Sequence, residues 1–498
     1  MSDISVQLTA PNGRSYTQPI GLFINNEFVA AKSGEKFATV NPADETEITS
    51  VYAAGEEDID IAVKAARKAL KDPSWKLLPA TDRGLLMIKL AELIEEHKET
   101  LATIETWDNG NTDCPVGKPY QVSLNDDLGE VINTLRYYAG WADKVFGQTI
   151  STTPAKFAYT LRQPIGVVGQ IIPWNFPLAM AAWKLGPALA CGNTIVLKPA
   201  EQTPLSILYL AGLIKEAGFP LVLSTLSTVT VVLPAVAFTG STLTGREIMK
   251  MAAGTLKNVT LETGGKSPLV VFEDADLEQA AKWAHIGIMY NQGQVCTATS
   301  RILVHESVYE KFVELFKETV RSTSKVGDPF SDDTFQGPQV TKAQYERVLS
   351  YIEAGKSEGA TLASGGVPHK NVGDGRGFFI EPTIFTNVKD HMRIYREEVF
   401  GPFVAIASFT TEDEAVTRAN DTTYGLGAAV FTRDIERAHR VASDIEAGMV
   451  WINSSNDSDF RVPFGGVKQS GIGRELGEAG LDAYSQVKAV HVNMGTKL

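Results

Sequence analysis

Hydrophobic and polar positions alternate in three distinct ways along this chain. Near the start, "GLFINNEFV" alternates over two short runs about Asn25-Asn26, which predicts a strand pair with a tight turn. From Asp58 to Leu70 and from Gly84 to Thr106, apolar residues recur at helical spacing beneath charged outer faces. From residue 165 short apolar runs and longer amphipathic runs take turns. "IGVVGQII", "NTIVLKP", "AVAFTG" and "NVTLE" read as strands. "LAMAAWKLGPALACG", "PLSILYLAGLIKEAG" and "STLTGREIMKMAAG" read as the helices between them, the last opening on hydroxyls suited to a helix start. Such alternation over 165–262 predicts a parallel, doubly wound sheet. A second run of the same kind begins with "SPLVVF", a helix Leu277 to Tyr290, the strand "RILVH" and a helix Ser307 to Val320, and continues through the segments around 397–451. Two α/β domains are therefore expected. "VPHKNVGDGRG" reads as a polar surface loop, and no short repeat, heptad run or low-complexity tract is evident.

The length, 498 residues, agrees with two or three domains. The net charge of −13 disfavours nucleic acid and anionic membranes as partners. Two long uncharged stretches are better read as buried segments than as membrane spans. Ile165 to Trp183 carries Pro173, Asn175 and Pro177, and Leu221 to Phe238 carries Pro234 and several hydroxyl residues. Cys114, Cys191 and Cys296 are too few and too scattered for a disulfide framework and suit a reducing compartment. The histidines show no metal-ligand spacing, so no metal is expected. "MSDISVQLTAPNGRSY" has no apolar signal core and no Arg before Arg14, so a cytoplasmic location is expected.

Chemistry-bearing residues cluster after strands, where α/β sheets bind ligands. Gly166 to Gly169 and Gly240 to Gly245 could cradle an anion or be ordinary turns; "GSTLTG" has P-loop glycine spacing but continues Arg-Glu, which excludes a Walker A motif. Lys198 and Glu201 in "KPAEQTP" could bond sugar hydroxyls or be a solvated pair. Glu262 ends an apolar strand; partly desolvated there, it could serve as a general base, or it could cap or pair. Cys296 in "MYNQGQVCTATSR" follows a polar turn whose N–H groups could favour a thiolate. Cys191 in "ALACGNT" fits a structural thiol.

Taken in order, "PWNFP", "WKLGPALACGNTIVLKPAEQTP", "FTGS", "LETGGKSP", "NQGQVCTATSR", "QGPQV", "EEVFGP" and "PFGGVKQSGIGRE" give the chain a close resemblance to the aldehyde dehydrogenase superfamily over essentially its whole length, and the run is similar to fungal general-purpose members. The resemblance implies two Rossmann-like parallel-sheet domains plus a small β oligomerisation domain: an NAD-binding domain of residues 1–140 and 162–264, a catalytic domain of 265–470, and an oligomerisation domain of 141–161 and 471–498 in a homodimer or homotetramer. It implies that Cys296 attacks the aldehyde, that the Asn175 amide and the Cys296 N–H steady the oxyanion, that hydride passes to NAD, that Glu262 activates water against the thioester, and that Lys184 supports this network. It implies NAD contacts from Ile171, Trp174, Lys198, Glu201, Gly240, Ser241, Gly264, Gln344, Glu398 and Phe400, with the Glu201 carboxylate disfavouring NADP. Met180, Trp183 and Phe464 match the aldehyde tunnel. Asn456, Asp457 and Ser458 make its mouth more polar than in many relatives, which points to short aliphatic aldehydes such as acetaldehyde.

One segment departs from the family. "GFPLVLSTLSTVTVVLPAVAFTGS" is short, rich in Val, Leu, Ser and Thr, and has no glycine between Gly218 and Gly240. Relatives carry a strand, a Gly-rich turn and a helix there, beside the adenine. Two readings stay open over 220–236: a rearranged adenine pocket, or an exon-boundary or frame change in the reading of the gene. The first leaves a catalytically impaired or silent protein as an alternative function. A coenzyme A-acylating relative is a further alternative, against which Glu262 argues.

Overall fold

A computed structural model describes residues 4–110, 120, 123–219, 222–223 and 233–497. The Asn25-Asn26 turn joins Leu22–Ile24 to Glu27–Val29 as an antiparallel pair, both turn residues lying at positive φ as a two-residue hairpin turn requires. The helical spacing over 58–70 forms Glu56–Lys71. The spacing over 84–106 is two helices, not one: Ala80–Glu96 and Lys98–Asn109 meet at His97, whose backbone leaves the helical region and whose ring bonds Tyr209 Oη at 2.8 Å. That anchor turns the second helix onto Leu205–Ala217, where Ile104 packs with Leu205 and Leu208.

The first α/β run builds a six-stranded sheet in the order 222–223, 194–198, 167–171, 235–239, 258–262, 471–472. The first five strands are parallel; Gly471–Ile472 closes the edge antiparallel, opposite Leu261 and Glu262. Parallel register sets Ile171 beside Lys198 and Thr239 beside Glu262, so the carboxyl ends of these strands form one edge. Helices Pro177–Ala190, Leu205–Ala217 and Thr242–Ala253 cover the sheet. Ser241 caps the last of these, its Oγ accepting from the Thr244 N–H.

The second run builds a seven-stranded sheet in the order 361–364, 383–386, 403–409, 301–305, 268–271, 427–431, 449–452. Only 361–364 runs antiparallel. Its central strands are buried on both faces and accordingly almost wholly apolar. Arg301 is the exception. Fully buried, it donates to the carbonyls of Lys266, Arg418 and Ala419 and lies over the Tyr395 ring. A separate antiparallel sheet pairs Ser485–Asn493 with Lys156–Pro164, and the latter with Thr149–Ile150. No helix among the described residues is long and apolar enough to cross a membrane.

Candidate active site

The carboxyl edge of the first sheet faces the turn that precedes Cys296, and a cavity of about 640 Å³ lies between them. The turn is tightly wound. Helix Leu277–Met289 ends, and Asn291, Gln292 and Gly293 follow at positive φ. A side chain on Gly293 would drive its Cβ to 1.9 Å from the Gly401 carbonyl, so glycine is required there. The turn delivers Cys296 to the cavity wall, partly exposed. Burial, with the negative charges of Glu262 and Glu398 behind it, pushes the thiol up to about 12 against the backbone N–H groups of Thr297 and Cys296. The resting form is therefore the thiol, and attack requires a proton acceptor.

Asn175 stands in the loop between strand 167–171 and helix 177–190. Its Nδ2 donates to the Gln294 carbonyl at 2.9 Å, and its own carbonyl accepts from Asn109 and Asn291 at 3.1 and 3.0 Å. These bonds fix the amide beside the cysteine turn. An amide nitrogen carries two hydrogens, and the Gln294 carbonyl takes one.

Glu262 ends its strand 3% exposed, with neither carboxylate oxygen holding a hydrogen bond among the described residues. Burial and the neighbouring Glu475 charge hold its carboxyl well above the usual range, opposed by Lys184 and Arg474. Lys184 does not line the cavity. It is wholly buried behind it, donating to Glu475 Oε1 and Thr239 Oγ1, each at 2.5 Å. Glu475 was not singled out in the sequence. It lies in "GIGRE", a stretch with no chemical signature of its own, and reaches Lys184 across 291 positions.

The proposed cofactor residues divide into two groups. Trp174, Gly240, Ser241, Gly264, Gln344, Glu398 and Phe400 line the cavity. Ile171, Lys198 and Glu201 do not; they continue the same sheet edge outward, with Lys198 paired to Glu201 at 2.6 Å. Glu398 accepts from the Gly265 N–H at 2.9 Å, and a Cβ on Gly264 would fall 2.3 Å from its carboxylate. Burial raises Glu398 to about 7 despite that bond and the nearby Arg347 and Lys266. Gln344 donates to the Phe400 and Val399 carbonyls, holding Phe400 at positive φ with its ring edge-on to Trp174.

Met180, Trp183, Asn456, Asp457 and Phe464 line the remaining wall. Trp183 and Phe464 meet edge to face, 4.8 Å between centroids. Asn456 spends its amide on the Gly287 carbonyl at 3.2 Å. The same wall holds Asp126, Asp127 and Glu130, none of which was singled out in the sequence. Trp183 Nε1 donates to Glu130 at 2.8 Å, and burial, reinforced by the Asp459 charge, raises that carboxyl to about 7. Three carboxylates over five residues at the start of a helix look like a solvated face, and only the packing shows Asp127 and Glu130 drawn in. Cys191 is buried away from this cavity, as a structural thiol should be, and Cys114 lies outside the described residues.

Comparison with known proteins agrees with this geometry. An aldehyde dehydrogenase of Emericella nidulans is 51% identical over 510 aligned residues, covering both chains fully. An NAD(P)+ aldehyde dehydrogenase of Saccharomyces cerevisiae is 50% identical, with 96% of each chain covered. The NAD+ complex of a Bacillus cereus aldehyde dehydrogenase, also 50% identical, superposes with a TM-score of 0.92 over 96% of this chain and 97% of that one. The model of the aldehyde dehydrogenase family matches residues 28–490, and the chain belongs to that family.

Proposed function

We propose that this protein oxidises an aldehyde to the carboxylic acid with NAD, hydrolysing its own thioester. One observation carries the reading. Cys296, Asn175 and Glu262 share one cavity with the Gly240-Ser241 helix start, Glu398 and Phe400. Glu262, unpartnered and raised, takes the Cys296 proton as sulfur bonds the aldehyde carbon. The oxyanion of the resulting thiohemiacetal is met by the Asn175 amide and the Cys296 N–H. The site fits a dinucleotide. A capped helix start suits a pyrophosphate, Lys198 with Glu201 suits ribose hydroxyls, and Gly264 lets the Glu398 carboxylate sit close at the cavity wall, where it suits a second ribose. Bound there, oxidised nicotinamide would accept hydride from the tetrahedral carbon. Collapse leaves a thioester on Cys296. Glu262 first passes the cysteine proton to solvent, then takes a proton from water; hydroxide adds to the thioester carbonyl, the Cys296 thiolate leaves, and the proton on Glu262 returns to it as the carboxylic acid departs. Lys184 and Glu475 lie behind Glu262 and hold charge where its proton must go.

Glu201, carrying negative charge at the ribose end, favours NAD over its 2′-phosphorylated form. The division 1–140 with 162–264, 265–470, and 141–161 with 471–498 is our assignment of domains. The paired strands 156–164 and 485–493 supply the face for a homodimer or homotetramer, and the expected location is cytoplasmic. The impaired alternative rests on residues 220–236. Of these, 220–221 and 224–232 lie outside the described residues, while Val222–Leu223 joins the sheet beside Val196 and Leu197. The test is the near-ultraviolet absorbance of reduced nicotinamide with acetaldehyde, with and without coenzyme A. Turnover that needs no coenzyme A and is lost in Cys296→Ala is expected. Turnover only with coenzyme A, or persisting in Cys296→Ala, overturns the hydrolytic reading.

A further inference from the structure

The aldehyde side of the cavity carries more negative charge than oxidising a neutral aldehyde requires. Asp126, Asp127, Glu130 and Asp457 all line it, and Glu262 stands deeper with both oxygens unpartnered. Arg347 is the one cation among the described residues lining the cavity, and it belongs to the opposite end, where its Nη2 donates to the Glu398 carbonyl. Lys98 acts on Asp126 from outside the cavity wall, and Arg461 at the rim is occupied by Asp459. Asp126 and Glu130 sit one turn apart, Asp126 in the turn Ser123–Asp127 and Glu130 in the helix Leu128–Ala139. Like charges at that spacing repel. Aromatic faces flank them: Trp183, Phe464 and Trp283 line the same wall, and Trp183 both packs on Phe464 and anchors Glu130 through its indole N–H.

Asp126, Glu130 and Asp457 form no salt bridge among the described residues, and carboxylates so placed among aromatic rings form the surroundings that hold an ammonium group. We propose that the tunnel selects aldehydes carrying a cationic nitrogen at the end remote from the carbonyl, Glu130 and Asp126 receiving the charge while Trp183 and Phe464 cover the carbons beside it. This deepens, and rests on, the aldehyde-oxidation reading. The polar mouth read from Asn456, Asp457 and Ser458 is thereby given a sign. The raised state of Glu130 agrees: its carboxyl is held up by burial and by Asp459, and a cation beside it removes that cost.

The test uses two aldehydes of one shape. Trimethylammonioacetaldehyde and 3,3-dimethylbutanal differ only in nitrogen for carbon, hence in charge. Their kcat/KM values are compared for the full-length protein with NAD at low salt, and 3-aminopropanal is compared with butanal in the same way. A preference for the cation of roughly tenfold or more is expected in both pairs. Glu130→Gln and, independently, Asp126→Asn should each shrink that ratio several-fold, by raising KM for the cation. Asp126 is exposed and its replacement is not expected to disturb folding, so the ratio remains readable if Glu130→Gln folds poorly. Equal use of the two shapes, preference for the neutral one, or a ratio unmoved in Asp126→Asn overturns the inference while leaving aldehyde oxidation in place. Failure to oxidise any of the four aldehydes removes the broader reading, and this one with it.

Discussion

Cys191 and Cys296 are a natural experiment within one chain. Burial pushes both thiols up to about 12. By that measure Cys191 is the better placed, since its neighbours include Arg83 and Arg162, which favour a thiolate, whereas those of Cys296 are the carboxylates Glu262 and Glu398, which oppose one. Yet Cys191, at a helix end, gives its thiol to the Leu481 carbonyl, 3.8 Å from the sulfur, and the smaller cavity it lines also carries the cations Arg83 and Arg162. Cys296 faces a cavity with a carboxyl group whose lone pairs are uncommitted. The difference teaches that the resting acidity of a thiol does not mark it as a nucleophile. What does is a proton acceptor within the same cavity, a donor for the oxyanion, and room for the electrophile.

The comparison can be broken or sharpened by experiment. Replacing Cys296 by Ala should lower kcat with acetaldehyde by on the order of 10^4-fold or more, whereas Cys191→Ala should retain most of it. Comparable losses would show the distinction to be wrong. Glu262→Gln should cost roughly 10²–10⁴-fold in steady-state rate, with a single burst of reduced cofactor persisting if its main task is hydrolysis. Because the Glu262 carboxyl is raised, it is protonated and idle below its pKa and basic above it; kcat should therefore climb with pH in the native enzyme and lose that dependence in the variant. A flat native profile would remove Glu262 as the base.

Lys184→Met leaves Glu475 buried without its cation and should cost about 3–5 kcal/mol in denaturant unfolding, read by circular dichroism. A loss under about 1 kcal/mol would mean that Glu475 takes up a proton instead, and that the network behind Glu262 is not an ion pair. The smallest effect has the opposite sign. A carboxyl raised in the folded state binds its proton more tightly there than when unfolded. Its folded form is penalised as pH rises above the unfolded value, and the penalty is complete above the folded one. Glu262→Gln removes this cost and should raise Tm slightly at alkaline pH even as it slows turnover. A lowered Tm there would contradict the burial argument.

Much of this was legible in the chain. The Asn25-Asn26 turn, the alternation over 165–262 and the second run all form elements where their patterns place them, because period and turn chemistry are local. Cys296, Glu262 and Asn175 were legible through motif company, and the folded chain brings them to one cavity. The break at His97 was not, since it depends on Tyr209, which the spacing of one helix does not reveal. Nor were Glu475, Glu130 and Asp126. Each is an acidic residue in a stretch without a chemical signature, and Glu475 and Glu130 are engaged by an element distant in sequence, the helix bearing Lys184 and Trp183. The character of 220–236 is the one feature that neither pattern nor packing resolves, most of it lying outside the described residues.

The short antiparallel strand Gly471–Ile472 has a bearing on biosynthesis. It seals the sheet edge beside Glu262, and Glu475 follows it directly to reach Lys184. Both contacts join segments far apart in the polypeptide, the longer spanning 291 positions. A ribosome must therefore have translated residue 475 before Lys184 meets its counter-charge. Until then a nascent chain holds a cationic side chain in an otherwise closed interior beside an unpaired strand edge, the kind of exposed edge that chaperones shield. Premature termination shortly before this strand would remove no nucleophile, yet would leave the base unsupported.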